Sequence, residues 1–146
     1  MEKLLEYGTL TVSCAQLLKD MVKAGYNIFI SGGTSSGKTT FLNAMADYIP
    51  KDERVIVIED SRELSLDRID NIVQMECHNA NSLGKGSVSM DMLIKTSLRM
   101  RPSRLIVGEV RGKEVSLRIG YNQKICVKQA NGNNATKRYG FKGFRN

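Results

Sequence analysis

The eight residues from Gly32 to Thr39 constrain this chain of 146 residues most strongly. Their order, G-G-T-S-S-G-K-T, fits the Walker A pattern G-x-x-x-x-G-K-[ST], in which a glycine-rich loop wraps phosphate groups. The apolar run 27–30 precedes the loop and predicts a buried strand. Apolar residues at helical spacing follow it and predict a helix that starts near Lys38 and ends before Pro50. A phosphate-binding loop requires this order of strand, loop and helix.

The residue types of the loop match the chemistry of phosphate binding. Gly32 and Gly37 allow backbone conformations that a Cβ atom would forbid, so successive N–H groups can turn toward an anion near the helix N-terminus. Lys38, which we count among the catalytic residues, can reach the β- and γ-phosphates, and the hydroxyl of Thr39 can ligate Mg²⁺. The residues predicted to bind the nucleotide are Gly32, Gly33, Thr34, Ser35, Ser36, Gly37, Lys38, Thr39 and Thr40.

Segments that are apolar throughout alternate with segments of helical periodicity. Further strands are predicted at residues 54–58, 71–76 and 105–107. One helix is predicted after a cap at Thr11 or Ser13 and ends at Gly25, and another follows Ser89. Strands of this kind, separated by helices, are typical of a parallel sheet with both faces covered. The sequence therefore predicts an α/β fold with a mainly parallel sheet flanked by helices.

Acidic residues follow two of the predicted strands. In open parallel sheets the ligand lies beyond the carboxyl ends of the strands, where Glu59 and Glu109 are expected. Nucleotide hydrolysis needs a held metal ion and an oriented water molecule. We assign Glu109, at the Walker-B position, to Mg²⁺ through water, and Glu59 to the attacking water, with Asp60 and Glu63 as supports. Each carboxylate could instead be a surface charge at a strand end.

Arginines are frequent near the same predicted strand ends. Some of them could stabilise charge on the transferring phosphoryl group, within one subunit or from a neighbouring subunit. Arg111 is the preferred candidate because it lies two residues past Glu109. The alternative for each is a salt bridge on a solvated face. The candidates are Arg62, Arg99, Arg101, Arg104 and Arg111.

The net charge of +7 comes from one part of the chain. Residues 1–112 are balanced, whereas residues 113–146 carry 8 basic residues and 1 acidic residue. We therefore expect a core over 1–112 and a solvated basic tail over 113–146. No specific nucleic-acid partner is expected for the tail. The absence of an apolar run long enough to span a bilayer, and of a signal peptide, predicts a cytoplasmic protein.

The motifs together resemble a known family. The matching segments are residues 27–40, 58–64, 98–102 and 107–112. They resemble the type II/type IV secretion and pilus-assembly motor ATPases, most closely the CpaF-type tight-adherence (Flp pilus) branch, over roughly residues 1–114. The resemblance implies a RecA-like core, ATP and Mg²⁺ as cofactors, and a ring-shaped homo-hexamer. It further implies inner-membrane platform proteins of a secretion or pilus system as partners, at the cytoplasmic face of that membrane. By resemblance, Glu59 is a catalytic carboxylate and Glu109 is the Walker-B glutamate.

The chain departs from the family pattern in several places. His78 replaces an arginine that is usual in the third-strand region, and Met1 falls just upstream of the core, where the family carries a further domain. No match is found from Val115 onward. RecA-like sheets place a later strand between the phosphate-loop strand and the Walker-B strand, and 125–127 is the only apolar run left for it. We therefore expect an incomplete core in a truncated gene product. Two alternatives stay open, a nucleotide-binding fragment without turnover and another P-loop NTPase such as a small kinase.

Overall fold

The computed structural model describes residues 1–80, 86–110 and 124–130, with residues 109–110 and 124–130 described by their backbone. The helices are α1 (Glu2–Glu6), α2 (Val12–Ala24), α3 (Lys38–Ala46) and α4 (Met90–Leu98). The strands are β1 (Ile28–Gly32), β2 (Val55–Glu59), β3 (Ile72–Glu76), β4 (Arg104–Val110) and β5 (Lys124–Ala130). Within these ranges, no helix is long and apolar enough to cross a membrane.

The five strands form one sheet in the order β1-β5-β4-β2-β3, and every neighbouring pair is parallel. This arrangement confirms the predicted α/β fold. The strand β5 lies between β1 and β4, with Cys126 opposite both Ile28 and Ile106. The run 125–127 therefore lies in β5, between the phosphate-loop strand and the Walker-B strand, where the sequence analysis expects it. The boundary between core and tail at 112/113 stays a prediction, although this part of the tail segment adds a strand to the sheet.

The central strands are apolar throughout because both of their faces are covered. Val55 and Val57 of β2 pack with residues of α2 and α3 on one face, including Val22 and Leu42. Ile56 and Ile58 project to the other face and pack with Ile94 and other α4 residues. All four β2 residues from Val55 to Ile58 are fully buried. A strand enclosed in this way holds its carboxyl end in a fixed position beside the phosphate-loop helix.

The N-terminal caps of α2 and α4 lie at residues that the sequence predicts. Thr11 is the residue that caps α2, since its hydroxyl accepts a hydrogen bond from the N–H of Cys14 at 3.2 Å. Gly25 ends the helix in the left-handed conformation, with φ of 78°. Ser89 caps α4 by accepting from the N–H of Met92 at 3.4 Å. The polar residues at these positions therefore set where both helices begin.

A buried ion pair fastens the amino-terminal end of the sheet. Arg104, at the start of β4, donates to both carboxylate oxygens of Glu53, from Nε at 2.7 Å and from one Nη at 3.0 Å. The same Nη donates to the carbonyl oxygen of Val22 in α2 at 3.0 Å. Arg104 is fully buried, at the end of the sheet opposite the phosphate loop. Its candidacy as a phosphoryl-stabilising arginine was wrong, because a residue that begins a strand lies at the other end from the ligand.

Candidate nucleotide site

The glycine-rich loop connects β1 to α3 through a tightly turned backbone. A Cβ atom at Gly32 would lie 2.6 Å from Oγ of Ser36, so the Ser36 hydroxyl would have to move to admit a side chain there. Ser35 and Gly37 have φ of 58° and 84°, and Gly37 is the N-cap of α3. Successive residues of this kind turn backbone N–H groups toward a common concavity, which binds anions. The loop therefore has the shape that the sequence predicts for phosphate binding.

Lys38 is the first residue of α3 and is buried, with 8% of its surface exposed. Its ammonium group donates a hydrogen bond to the carbonyl oxygen of Gly33 within the loop. The side chain is therefore folded over the loop instead of extending into solvent. Its charge lies where a phosphate oxygen could replace the carbonyl as its acceptor.

Glu59 is the last residue of β2 and is also buried, with 5% of its surface exposed. Its Oε1 accepts hydrogen bonds from the N–H groups of Glu63 and Leu64, both at 3.1 Å. On its other side lies Gly108 of β4, where a Cβ atom would be 3.1 Å from Cγ of Glu59. The carboxylate is therefore held in one orientation by backbone amides and by the close approach of the neighbouring strand.

Glu63 contacts the phosphate-loop helix directly. The hydroxyl of Thr39 donates to Oε2 of Glu63 at 3.0 Å. A second link follows two residues later, where the N–H of Ser65 donates to Oδ1 of Asn43 at 3.3 Å. The expected support of Glu59 by Glu63 is provided by the backbone N–H of Glu63, while its carboxylate contacts Thr39. The sequence did not predict this contact, since the direction of a side chain in an irregular segment leaves no periodic signal.

The remaining predicted residues are spread over the fold. Asp60 is exposed directly after β2, and Glu109 lies within β4, opposite Lys128. Arg111 lies outside the described residues. Arg62 is exposed in the acidic segment beside the loop. Two further candidates, Arg99 and Arg101, are exposed ahead of β4, at the amino-terminal end of the sheet.

Acidic groups gather at the carboxyl end of β2 and β3. The N–H of Cys77 donates to the backbone oxygen of Glu59 at 2.9 Å. Burial raises the pKa of the Cys77 thiol above its ordinary value, and the negative charges of Asp60 and Glu76 raise it further. His78 forms a backbone bridge with Val88. The Cys77 thiol therefore lies in a negative potential at this end of the sheet.

Proteins of known name match most of the chain. Residues 1–120 match the family described as type II/IV secretion system protein. The putative conjugal transfer protein Rv3659c of Mycobacterium tuberculosis is 42% identical over 108 residues, which cover 74% of this chain and 30% of that protein. The type IV secretion system protein PtlH of Bordetella pertussis is 41% identical over 97 residues, covering 66% of this chain and 29% of PtlH. The chain thus spans about three tenths of the length of these relatives.

Solved ATPase structures share the fold. The VirB11 ATPase of Brucella suis, in complex with sulphate, matches with a TM-score of 0.70 and 29% identity over 89% of this chain and 36% of VirB11. The pilus retraction motor PilT, with bound ADP, matches with a TM-score of 0.61 and 25% identity over 82% of this chain and 34% of PilT. The narrower CpaF-type assignment stays a prediction. Because the family match includes residues 1–120, the chain belongs to the type II/IV secretion system protein family.

Proposed function

We propose that this chain binds ATP with Mg²⁺ at residues 32–40 and forms the nucleotide-binding part of a motor ATPase for secretion or pilus assembly. The observation that carries the proposal is the buried Lys38, whose side chain folds over a loop with left-handed backbone at Ser35 and Gly37. The buried carboxylate of Glu59, at the end of a central strand, supplies a second group of the required chemistry. Support also comes from the similarity to the VirB11 ATPase and to PilT, which was solved with ADP.

Each residue of the site has a distinct proposed role. The loop amides and Lys38 bind the phosphate oxygens, and the hydroxyl of Thr39 and the carboxylate of Glu109 hold the metal ion. Bound Mg²⁺ would neutralise charge on the phosphate oxygens. Glu59 orients the attacking water and accepts its proton, because two amides fix the carboxylate beside the loop. Arg111 stabilises charge on the transferring phosphoryl group.

The assembly and location follow from the family and extend the proposal. We infer a homo-hexamer in which the nucleotide lies near a neighbouring subunit, and inner-membrane platform proteins as partners at the cytoplasmic face. The names of PtlH, a type IV secretion system protein, and of the VirB11 ATPase support a role in such a system. Sedimentation of the full chain with and without ATP tests this inference, and a monomer under all conditions would contradict the ring.

The first experiment compares binding of a fluorescent ATP analogue and release of phosphate in the wild type and two variants. We expect Lys38→Ala to weaken nucleotide binding by about 10- to 100-fold, since a charge-assisted hydrogen bond contributes roughly 1.5–3 kcal/mol. Glu59→Gln should bind the nucleotide normally and release phosphate at least about 100-fold more slowly. Lys51→Ala, at an exposed lysine ahead of β2, is the matched control.

The outcomes separate the proposed function from its alternatives. Equal binding by the wild type and Lys38→Ala would contradict nucleotide binding at the loop. Equal phosphate release by the wild type and Glu59→Gln would mean that Glu59 is not the catalytic carboxylate. Nucleotide binding with no phosphate release by the wild type would instead identify a nucleotide-binding fragment without turnover.

A further inference from the structure

We propose that the outer edge of β3, formed by Ile72–Glu76, pairs in an antiparallel direction with the same edge of a second copy of this chain. The two sheets would then continue as one sheet across a two-fold axis. The starting observation is that β3 is the last strand in the sheet order and, among the described strands, pairs with β2 alone. The proposal does not rest on nucleotide binding, because β3 lies at the opposite edge of the sheet from β1 and the glycine-rich loop.

Every second residue of β3 directs its backbone N–H and C=O groups away from β2. The backbone oxygen of Asn71 accepts from β2, and the N–H of Cys77 donates to β2, both at 2.9 Å. Since these directions alternate along a strand, the backbone groups of Ile72, Gln74 and Glu76 face the outer edge. These three residues therefore present donors and acceptors that the ladder with β2 does not use.

The chain itself shows the direction in which this edge accepts a partner. Just past β3, the N–H of His78 donates to the backbone oxygen of Val88 at 3.0 Å, and the N–H of Val88 donates back at 2.8 Å. This isolated bridge is antiparallel. His78 follows the same alternation as Gln74, so the bridge occupies the outer edge at that position. The open stretch of the edge therefore ends at Glu76.

The outer edge lacks the features that keep edge strands apart. Proteins commonly place lysine, proline or a β-bulge on an exposed edge strand. The sequence of β3, I-V-Q-M-E, contains neither residue, and its register with β2 runs without a bulge. The residues of β3 are half-buried up to Met75, and Glu76 is exposed. The edge is therefore accessible to another strand.

The side chains of β3 are compatible with a two-fold axis at Gln74. In that register Gln74 faces itself, and Ile72 faces Glu76 of the second copy, as hydrogen-bonded pairs. Val73 faces Met75 of the second copy at the closer, non-hydrogen-bonded position. Both of these side chains are only partly buried, and they pack against the apolar cluster that includes α4 residues. The pairing would cover their exposed parts and extend this cluster from one copy into the next.

The charges at the two ends of β3 favour an antiparallel partner. Directly ahead of β3, the guanidinium of Arg54 donates to Oδ1 of Asn71 at 3.0 Å. At the carboxyl end of β2 and β3, Asp60 and Glu76 are exposed. Antiparallel pairing places the basic end of each copy beside the acidic end of the other, so a second copy supplies the complementary charge at both ends. Two further exposed residues ahead of β3 carry opposite charges, Arg68 and Asp70.

Disulfide formation in a Gln74→Cys variant of the full chain tests the register. In a hydrogen-bonded antiparallel pair the two Cα atoms are about 5.5 Å apart, a separation that a disulfide can span. We expect mild oxidation to link two copies through residue 74, and mass spectrometry of the linked peptides identifies the bond. Glu76→Cys is the matched control, since its two copies would lie about 14 Å apart and should not be linked. Linkage in Glu76→Cys, or none in Gln74→Cys, would overturn the proposal.

Sedimentation of the full chain without nucleotide tests the contact itself. The wild type should form dimers as its concentration rises, a two-fold contact that is distinct from those of the inferred ring. Gln74→Pro should weaken the dimer at least about tenfold, because it removes an N–H at the axis from both copies and none from the ladder with β2.

A charge pair at the axis keeps the test independent of the proline variant's folding. Gln74→Lys and Gln74→Glu each place like charges opposite each other and should each weaken the dimer, whereas their equimolar mixture should restore it. A wild type that stays monomeric, equal association of the wild type and Gln74→Pro, or no gain in the mixture would overturn the proposal. A monomeric wild type would leave this edge to a strand from another protein.

Discussion

The two ends of the sheet hold buried glutamates in opposite ways. At the amino-terminal end, Glu53 precedes β2 and forms an ion pair with Arg104, whose guanidinium donates hydrogen bonds to both carboxylate oxygens. At the carboxyl end, Glu59 closes the same strand, and its carboxylate accepts from the backbone amides of Glu63 and Leu64. A guanidinium cancels the charge of Glu53, whereas amide dipoles stabilise the charge of Glu59 without cancelling it. A buried carboxylate is therefore held by a charged side chain at one end of the sheet and by backbone amides at the other.

The largest expected effect comes from breaking the ion pair at the amino-terminal end. Arg104→Ala leaves the charge of Glu53 buried and unpaired, which should lower the free energy of unfolding by about 3–5 kcal/mol. Urea denaturation measures the change. Arg68→Ala is the control, because Arg68 and Asp47 form an exposed pair at 3.8 Å that should contribute less than about 1 kcal/mol. If Arg104→Ala lowered the free energy of unfolding by less than about 1 kcal/mol, the buried ion pair would stabilise the fold no more than the exposed pair does.

An intermediate effect is expected where the carboxyl end is most crowded. Gly108→Ala places a Cβ atom against Cγ of Glu59 and against the backbone oxygen of Ile58, at 3.1 and 3.3 Å. Overpacking of this kind should cost about 1–3 kcal/mol of unfolding free energy and displace Glu59, so phosphate release should fall as well. Gly33→Ala is the stability control, since a Cβ atom there meets nothing within 4 Å. Normal phosphate release by Gly108→Ala would show that the position of Glu59 is not constrained by β4.

The smallest effect reports the negative potential at the carboxyl end. Because its pKa is raised, Cys77 has less thiolate at a given pH than an ordinary cysteine, and its alkylation should be slower. The rate should reach half of its maximum at a pH above the ordinary thiol value, and unfolding in guanidinium should return the midpoint to that value. Mass spectrometry of the Cys77 peptide follows the reaction. Asp60→Asn should move the midpoint down, and an unmoved midpoint would mean that burial alone raises the pKa.

Local signals in the sequence predicted the elements that position the site. The Walker A residues, the caps at Thr11 and Ser89, and the apolar run of β2 each depend on neighbouring residues alone, and the structure places all of them as expected. The order of the strands is different, because it depends on pairings between distant segments. The central place of β5 was expected only through the family resemblance, since its short apolar run carries little signal by itself.

The site was predicted less completely than the fold. The residue types of the loop indicated phosphate binding because the motif requires each of them. Arg104 was one of five candidates for stabilising phosphoryl charge, and the salt-bridge alternative holds for it, although the pair is buried and not on a solvated face. Its position at the start of an apolar run already indicated the amino-terminal end of a parallel strand. The contact between Glu63 and Thr39 could not be read from spacing, because the two residues are brought together by the packing of an irregular segment on α3. The direction of that side chain is a property of the tertiary structure.

The insertion of β5 between β1 and β4 has a consequence for how the protein is made. Ile28 and its partner Cys126 are roughly a hundred positions apart, so β1 cannot join the sheet through β5 until β5 has also left the ribosome. Until then, the nascent chain can pair β2 with β3 and with β4. The strand β1, which precedes the glycine-rich loop, is not yet part of the sheet. Closing such a long separation slows folding. Nucleotide binding should therefore be acquired only after β5 has been synthesised, when β2 can already be paired with β3 and β4.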